Sequence, residues 1–203
     1  MKILLSVVLS VLVLALATAE ETYTQGDHYE LIPIPVETSA DGVIEVVEIF
    51  SYGCVHCYNF DPYVEVWKQE QGEEVRFERL PAVFTPEFAK AYYAAEILDV
   101  VDEVHTPIFN ALHIERKDMR RQEALAAVFK RYGGVPEEDF LSVYKSFAVQ
   151  SRVQQAQARV AAYRVTGIPT MIVSGKYRID GRMAGSNNGM LKVVDHLVKA
   201  ETR

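Results

Sequence analysis

The stretch Val43–Cys57 reads Val-Ile-Glu-Val-Val-Glu-Ile-Phe-Ser-Tyr-Gly-Cys-Val-His-Cys, and it decides the fold. Its first part, Val43–Phe50, is a nearly continuous apolar run, as expected of a strand that is covered on both faces. A helical pattern follows over about Cys54–Gln69, and Val75–Leu80 then predicts a second strand that ends at Pro81. A strand, a helix and a strand in this order favour parallel pairing of the two strands.

Cys54 and Cys57 are the only two cysteines among the 203 residues. A disulfide that closes so short a loop removes only about 2 kcal/mol of entropy from the unfolded chain, which makes it a weak structural cross-link. Two thiols placed this close together, where a strand gives way to a helix, are better suited to being oxidised and reduced in turn. The pair therefore predicts a site of thiol–disulfide exchange.

The N-terminus predicts export. Lys2 precedes an apolar run over Ile3–Leu16, and Ala17-Thr18-Ala19 has the small-residue pattern of a cleavage site. We expect residues 1–19 to be a signal peptide, because the apolar run is too short to span about 30 Å of hydrocarbon. Export would place the two cysteines in a compartment where disulfides persist.

The charge balance excludes one class of partner. The chain carries 21 Lys and Arg against 28 Asp and Glu, a formal net charge of −7. Residues 1–19 contain one lysine and no acid, so their removal changes the charge from −7 to −8. Binding to nucleic acid requires a basic face. The sequence therefore predicts no nucleic-acid partner.

The middle of the chain is predicted to be helical. Breaks of the Thr106-Pro107 type, Gly133-Gly134 and Pro136 punctuate the helical patterns, and a further helix runs to about Tyr163. The four helices predicted before that last one are Pro86–Leu98, Glu103–Ile114, Arg121–Tyr132 and Pro136–Phe147.

The two ends of the mature chain predict the remaining strands. Tyr29–Val36 is predicted to be an edge strand, since its prolines bar it from a sheet interior. Thr170–Val173 and Lys176–Ile179 flank Ser174-Gly175, which is typical of a two-residue hairpin. Ser186 or a neighbouring asparagine is placed to cap a final helix.

The segment Phe50–Tyr58 closely resembles the active-site stretch of the DsbA family, the disulfide-introducing oxidases of the bacterial periplasm within the thioredoxin superfamily. Pro62 lies five positions after Cys57, where thioredoxin-like proteins carry a proline in the active-site helix. Gly167-Ile168-Pro169-Thr170 is similar to the cis-proline segment that faces the cysteines in this superfamily. Val55 departs from the pattern, because the best-known members have proline there, and this bears on the redox potential.

The similarity spans essentially the whole mature chain. It implies an α/β protein with a thioredoxin fold and an inserted helical domain. The implied domain organisation is a signal peptide at residues 1–19 and a thioredoxin-like domain at residues 20–203, interrupted by a helical insertion at about 84–150.

The resemblance also implies roles for particular residues. Glu48 matches the buried glutamate of the family, and Arg79 occupies the place of the basic residue that the family pairs with it. A buried carboxylate must hold a proton or find a cation, so a structural ion pair and a proton relay for Cys57 both remain open. Ile168, Pro169 and Thr170 are implied to form a wall of the substrate site, with a cis bond before Pro169.

The chemistry of the cysteines can be argued from their placement. Cys54 lies at the start of a helix, where free amides and the helix dipole favour a thiolate. His56 can add a donor or a positive charge, and Cys57, one turn inside, is expected to be the shielded resolving thiol. If Cys54 titrated near 4, the reduced form would gain about 4 kcal/mol at pH 7, or roughly 90 mV toward oxidising behaviour. The site therefore predicts an oxidase, with Val55 and His56 tuning its potential.

Two other functions remain open from the sequence. One is a disulfide isomerase or reductase, although the short stretch before the first core strand leaves little room for the dimerisation domain that dimeric isomerases need. The other is a peptide-binding chaperone with incidental thiols. A zinc site is disfavoured because His105 and His113 are eight residues apart, outside the usual histidine spacing. Both histidines are expected to face solvent or to be satisfied locally.

These inferences define the expected partners and location. We expect a periplasmic monomer without a cofactor or metal, which acts on unfolded or extended cysteine-containing polypeptides. By resemblance, a membrane protein of the DsbB type would reoxidise it.

Overall fold

The computed structural model describes residues 22–38 and 42–202, so the predicted signal peptide at residues 1–19 lies outside the described residues. Within these ranges five strands form one sheet in the order β1-β5-β4-β2-β3. The strands are β1 (Glu30–Leu31), β2 (Ile44–Phe50), β3 (Val75–Pro81), β4 (Thr170–Val173) and β5 (Tyr177–Asp180). The helices are α1 (Val55–Glu70), α2 (Pro86–Ile97), α3 (Val101–His113), α4 (Gln122–Tyr132), α5 (Glu137–Tyr144), α6 (Phe147–Ala162), α7 (Gly181–Ala184) and α8 (Asn187–Glu201).

The sheet is mixed, and β2 lies in its interior. β2 pairs with β3 in parallel, as the strand–helix–strand pattern predicts, and with β4 in antiparallel orientation. All seven residues of β2 are buried, because helices cover both faces of the sheet. The apolar run of this strand thus reflects burial on both faces. The cysteines follow directly after the buried end of β2, so their position is set by the core.

Two apolar clusters lie on opposite faces of the sheet. One joins alternate residues of β2, such as Val46, to α1 and α8 through side chains that include Phe60, Trp67 and Leu197. The other joins Val47 and its neighbours to the helical segment between β3 and β4. The active-site helix α1 and the helical segment are therefore both packed on the strand that leads into the cysteine motif.

The predicted α/β architecture with helices inserted between two halves of a sheet is confirmed by the element order. Five consecutive helices, α2 to α6, separate β3 from β4. None of the helices in the described part of the chain is long and apolar enough to cross a membrane. The predicted boundaries of the insertion, at about 84–150, remain a prediction.

Several local predictions need correction. The predicted edge strand Tyr29–Val36 is at the edge of the sheet but has only the two residues of β1, because Pro33 and Pro35 have no amide hydrogen to continue the ladder. Pro107 does not break a helix but lies within α3, where burial of Val104, Ile108 and Phe109 offsets the single hydrogen bond lost.

The C-terminal hairpin is confirmed with small shifts. The turn residues Ser174 and Gly175 both have positive φ angles, of 52° and 62°, which suits the short turn predicted there. β5 begins and ends one residue later than expected, so that three residues rather than two connect it to β4. The one-turn helix α7 that follows β5 was not predicted. Ser186 caps α8 by accepting a hydrogen bond from the Gly189 amide, as predicted.

Candidate active site

Cys54 is the N-cap residue of α1, in extended conformation with φ −94° and ψ 115°. A turn precedes it, closed by a hydrogen bond of 3.0 Å that the Cys54 amide donates to the Ser51 carbonyl. The Cys54 Sγ atom accepts a hydrogen bond of 3.3 Å from the Cys57 amide. A sulfur thus occupies the position where a serine or aspartate oxygen commonly caps a helix, as the sequence predicts for a thiolate site.

The surroundings of Cys54 favour its thiolate. The pKa of Cys54 is lowered to about 6, chiefly because the Cys57 thiol donates a hydrogen bond to it. Partial burial opposes this shift, whereas the amides of Cys57 and His56 and the charge of His56 add to it. The predicted influence of His56 on the attacking sulfur thus has a physical basis, although the side chain itself is exposed.

Cys57 has the opposite character. It is fully buried, and burial raises its pKa well above that of an ordinary thiol. The neighbouring Cys54 and the charge of Glu48 raise it further. Val55, between the cysteines, is half exposed. The two sulfurs are therefore differentiated into one accessible thiolate and one shielded thiol.

The segment before β4 lies against Cys54. The Ile168–Pro169 peptide bond is cis, as predicted, and the Ile168 carbonyl lies 3.7 Å from the Cys54 Sγ, within reach of a thiol hydrogen. Thr170 is buried, and its hydroxyl donates a hydrogen bond of 2.7 Å to the Gly167 carbonyl. The backbone at Ile168 is thus the part of the predicted substrate wall that contacts the attacking sulfur.

Glu48 and Arg79 form the ion pair that the resemblance implies. The Arg79 Nε atom donates a hydrogen bond of 2.9 Å to Glu48, and its terminal nitrogen donates to Asp61 at 2.9 Å and to Glu65 at 2.8 Å. Glu48, Asp61 and Arg79 are all buried. Arg79 therefore contacts three carboxylates, two of which α1 contributes, and of these Glu65 also pairs with Lys68 at 3.3 Å. The carboxylates of this network thus outnumber its cations.

This charge excess has a consequence for protonation. Burial raises the pKa of Glu48 to about 7, and this outweighs the opposing attraction of Arg79. The charges of Asp61 and Glu65 raise it as well. Glu48 can therefore gain or lose a proton near neutral pH, which suits both roles left open by the sequence.

His105 is buried in the same network, so the prediction that it faces solvent is wrong. Its Nε2 atom lies 3.1 Å from Asp61, and its Nδ1 atom lies 2.9 Å from the Tyr52 hydroxyl. The pKa of Asp61 is lowered by this histidine in spite of burial, so its ionised carboxylate accepts the Nε2 hydrogen. The Tyr52 hydroxyl then donates to Nδ1. The network runs without interruption from Glu48 to Tyr52.

His113 was also assigned wrongly to solvent or to local contacts. Its Nε2 atom donates a hydrogen bond of 2.8 Å to the carbonyl of Tyr52, and its ring stacks on Tyr58 with a centroid distance of 5.0 Å. His105, Phe109 and His113 recur every four residues and therefore share one face of α3. That spacing is the signal in the sequence that could have placed both histidines together.

The comparisons with known proteins agree with this site. A family model described as a DSBA-like thioredoxin domain matches residues 64–190. The thiol:disulfide interchange protein DsbA of Pseudomonas aeruginosa is 40% identical over 189 residues, which cover 92% of this chain and 89% of that protein. DsbA of Azotobacter vinelandii is 36% identical over 195 residues, with coverages of 92% and 91%.

Solved structures extend the agreement to the fold. The crystal structure of Pseudomonas aeruginosa DsbA matches with a TM-score of 0.83 at 40% identity, over 88% of this chain and 94% of that one. The oxidoreductase DsbA from Xylella fastidiosa matches with a TM-score of 0.82 at 34% identity, over 88% and 97%. The predicted thioredoxin fold is confirmed, and the chain is a thiol:disulfide oxidoreductase that belongs to the DsbA family.

Proposed function

We propose that this protein is a periplasmic dithiol oxidase, which donates the Cys54–Cys57 disulfide to exported polypeptides. The observation that carries the proposal is the position of the Cys54 sulfur at the N-cap of α1, where it accepts a hydrogen bond of 3.3 Å from the amide of the buried Cys57. An interaction that stabilises the thiolate stabilises only the reduced protein, since a disulfide has no charge to stabilise. The disulfide form is therefore the less favoured one and tends to oxidise the thiols of other proteins.

The size of this effect follows from the pKa of Cys54. With a pKa of about 6, against about 8.5 for a free cysteine, the reduced form gains about 1.4 kcal/mol at pH 7. Since Cys54 is only half buried, screening by solvent reduces this to about 1 kcal/mol, or roughly 20 mV. This is smaller than the value for a pKa near 4, but it has the same sign and favours an oxidant.

The exchange proceeds in two substitutions at sulfur. A substrate thiolate attacks the Cys54 Sγ, a mixed disulfide forms, and Cys57 leaves with the electron pair of the broken S–S bond. Cys57 then takes up a proton, which its raised pKa favours, and Glu48 is the nearby group that can exchange one near pH 7. A second substrate thiolate attacks the substrate sulfur and releases Cys54 as a stable thiolate. Arg79 keeps Glu48 in place by its hydrogen bond.

We propose that the substrate is an extended, cysteine-containing polypeptide. The backbone of Ile168 lies beside the attacking sulfur, and Pro169 has no amide hydrogen that could compete for hydrogen bonds there. An extended chain can form main-chain hydrogen bonds with such a backbone segment, and these bonds do not depend on the sequence of that chain. Thr170, being buried, would support the segment through its bond to Gly167 rather than touch the substrate.

The remaining partners and the location follow from the same family membership. We propose that the protein works in the periplasm, where the predicted signal peptide at residues 1–19 would direct it, and that a membrane protein of the DsbB type reoxidises it. The prediction of a monomer stands beside this proposal, as does that of no nucleic-acid partner, which the net charge of −7 supports.

The redox equilibrium of the Cys54–Cys57 pair with glutathione tests the direction of exchange. The fraction of reduced protein is measured at pH 7 over a range of ratios of reduced to oxidised glutathione. An oxidase remains largely reduced at ratios that leave thioredoxin-type reductases oxidised. A pair that stays oxidised in the presence of excess reduced glutathione would identify a reductase instead.

Trapping with an unfolded substrate that carries a disulfide separates the roles of the two cysteines, because a lone thiolate forms a mixed disulfide only by displacing one sulfur of an existing disulfide. Cys57→Ala is expected to accumulate a mixed disulfide through Cys54, whereas Cys54→Ala accumulates none. The double variant distinguishes the chaperone hypothesis, since a chaperone with incidental thiols would keep its ability to suppress aggregation. Trapping through Cys57 would contradict the assignment.

A further inference from the structure

The Tyr52–Gly53 peptide is the central peptide of the turn that delivers Cys54. The Cys54 amide closes this turn by donating to the Ser51 carbonyl at 3.0 Å. The central peptide of such a turn can rotate by about 180° between type I and type II, and type II requires a positive φ at the third residue. Gly53 occupies that position and could adopt it, but its φ is not positive here. The sequence thus permits two backbone conformations of which the structure uses one.

A histidine from the helical insertion holds this peptide in its present orientation. The His113 Nε2 atom donates a hydrogen bond of 2.8 Å to the Tyr52 carbonyl. At the other end of the same peptide, the Gly53 amide donates to the Ser51 hydroxyl at 3.4 Å. A flipped peptide would turn the carbonyl away from His113 and leave the histidine without its acceptor.

The histidine is itself held in place. Its ring lies nearly parallel to that of Tyr58, at an angle of 15° and a centroid distance of 5.0 Å. The Tyr58 hydroxyl donates a hydrogen bond of 3.2 Å to the side chain of Asn110. Asn110 lies in α3, the helix that also carries His113. Helix α3 therefore contacts the cysteine motif at two points, at Tyr52 before Cys54 and at Tyr58 after Cys57.

We propose that His113 is a positioning residue, which prevents the Tyr52–Gly53 peptide from flipping and thereby fixes the direction of the peptide dipole that precedes Cys54. The Cys54 sulfur accepts a hydrogen bond of 3.3 Å from the Cys57 amide. A flip would leave the ends of the turn in place but would reverse the peptide dipole between Tyr52 and Gly53, next to the residue that carries the thiolate. The inference concerns the thiolate alone, so it holds whichever way the disulfide is exchanged.

The test separates the hydrogen bond from the ring. His113→Phe keeps an aromatic ring but has no donor, whereas His113→Gln keeps a donor but has no ring. The titration of Cys54 is followed in the reduced protein by thiolate absorbance, with alkylation at acidic pH as a second readout. The wild-type midpoint is expected at about 6. His113→Phe is expected to raise the midpoint by about one unit, a tenfold loss of thiolate on the acidic side, and His113→Gln to leave it nearly unchanged.

Two further variants and a structure complete the test. His28→Phe makes the same replacement in the N-terminal segment and is expected to have no effect, while His113→Leu supplies a second donor-free value should His113→Phe not fold. A crystal structure of the reduced His113→Phe chain should show Gly53 at positive φ. The proposal is overturned if the donor-free variants titrate like the wild type, if His113→Gln shifts as much as they do, or if the turn is unchanged.

Discussion

At the scale of single residues, the protonation of Glu48 is controlled by burial rather than by its ion pair. Glu48 accepts a hydrogen bond of 2.9 Å from Arg79, yet its pKa is raised to about 7 because it is fully buried. Arg79 is shared with Asp61 and Glu65, so its charge does not fully compensate any one carboxylate. A buried acid of this kind costs stability when it is ionised.

The first prediction concerns Glu48→Gln. The folded pKa of about 7 exceeds the ordinary value of 4.5, so the wild type loses stability as pH rises through 7, whereas the glutamine variant does not. We expect the variant to gain about 2 kcal/mol in unfolding free energy relative to wild type between pH 5 and pH 8.5. Denaturant unfolding of both reduced proteins at the two pH values measures this.

Glu73→Gln is the matched control, because Glu73 is exposed in the loop before β3 and its replacement should give the same change at both pH values. A Glu48→Gln chain whose advantage shrinks toward high pH would show that Glu48 is stabilised in its ionised form. That result would also remove Glu48 as a proton donor near neutrality.

The residues of the site were only partly accessible from the sequence. Cys54, Cys57 and His56 belong to one short motif, and Glu48, Arg79 and Pro169 were found through a family resemblance. His105 and His113 were missed, since their partners Tyr52 and Asp61 lie 44 to 61 positions away in the chain. A single sequence contains no information on such pairings beyond the four-residue spacing along α3.

At the scale of elements, an ion pair joins α6 to the sheet through Glu45, a buried residue of β2. Arg159 donates hydrogen bonds to Glu45 at 3.2 Å and to Glu78 at 2.6 Å, and thus joins the helix to two neighbouring strands. The Glu45 side chain is only 3% exposed. The other arginine that it contacts, Arg76, belongs to β3, and its side chain is 44% exposed against 31% for Arg159.

The second prediction follows from this contact. Arg159→Ala leaves Glu45 buried with only one of its two arginines, and we expect a loss of about 2 kcal/mol in unfolding free energy. Arg152→Ala, in the same helix, removes a more exposed pair with Glu96 and should cost less than about 1 kcal/mol. Urea unfolding of both variants provides the comparison. Equal losses would show that Glu45 does not depend on α6.

Elements were predicted well where one physical effect dominates. The buried strand β2 and the helix after the cysteines follow directly from hydrophobic pattern and turn chemistry. Pro107 was misjudged because helix propensity and tertiary burial oppose one another there, and packing of α3 against the core prevailed. The short helix α7 has no buried residue, so no hydrophobic pattern could reveal it.

At the scale of the whole molecule, the redox state of one sulfur is coupled to the stability of the fold. The thiolate of Cys54 exists only in the reduced protein, and its stabilisation requires the folded arrangement of α1 and the preceding turn. Unfolding the reduced chain therefore loses this interaction, whereas unfolding the oxidised chain does not. The pH dependence of the unfolding free energies shows this coupling most directly. The disulfide itself adds about 2 kcal/mol to the unfolding free energy of the oxidised form by loop closure, and this amount does not depend on pH.

The third prediction is that the stability of the reduced form, relative to the oxidised form, increases with pH. The folded pKa of Cys54, about 6, is lower than that of an unfolded thiol, about 8.5. The contribution is therefore fully present above about pH 8.5 and is lost as pH falls through 6. Cys57 titrates in the opposite sense above pH 8.5, since its pKa is raised, so pH 5 to 8 is the informative range.

Between pH 5 and pH 8 we expect the unfolding free energy of the reduced form to increase by about 1.5 kcal/mol relative to that of the oxidised form, with allowance for screening at the half-buried sulfur. Chemical denaturation of both forms at several pH values gives the difference. The reduced Cys54→Ser chain is the control, because it lacks the thiolate while retaining Glu48 and the rest of the buried network, and it should not show the gain. A difference independent of pH, or a gain that persists in Cys54→Ser, would mean that the Cys54 thiolate does not stabilise the reduced fold and would remove the physical basis for an oxidase.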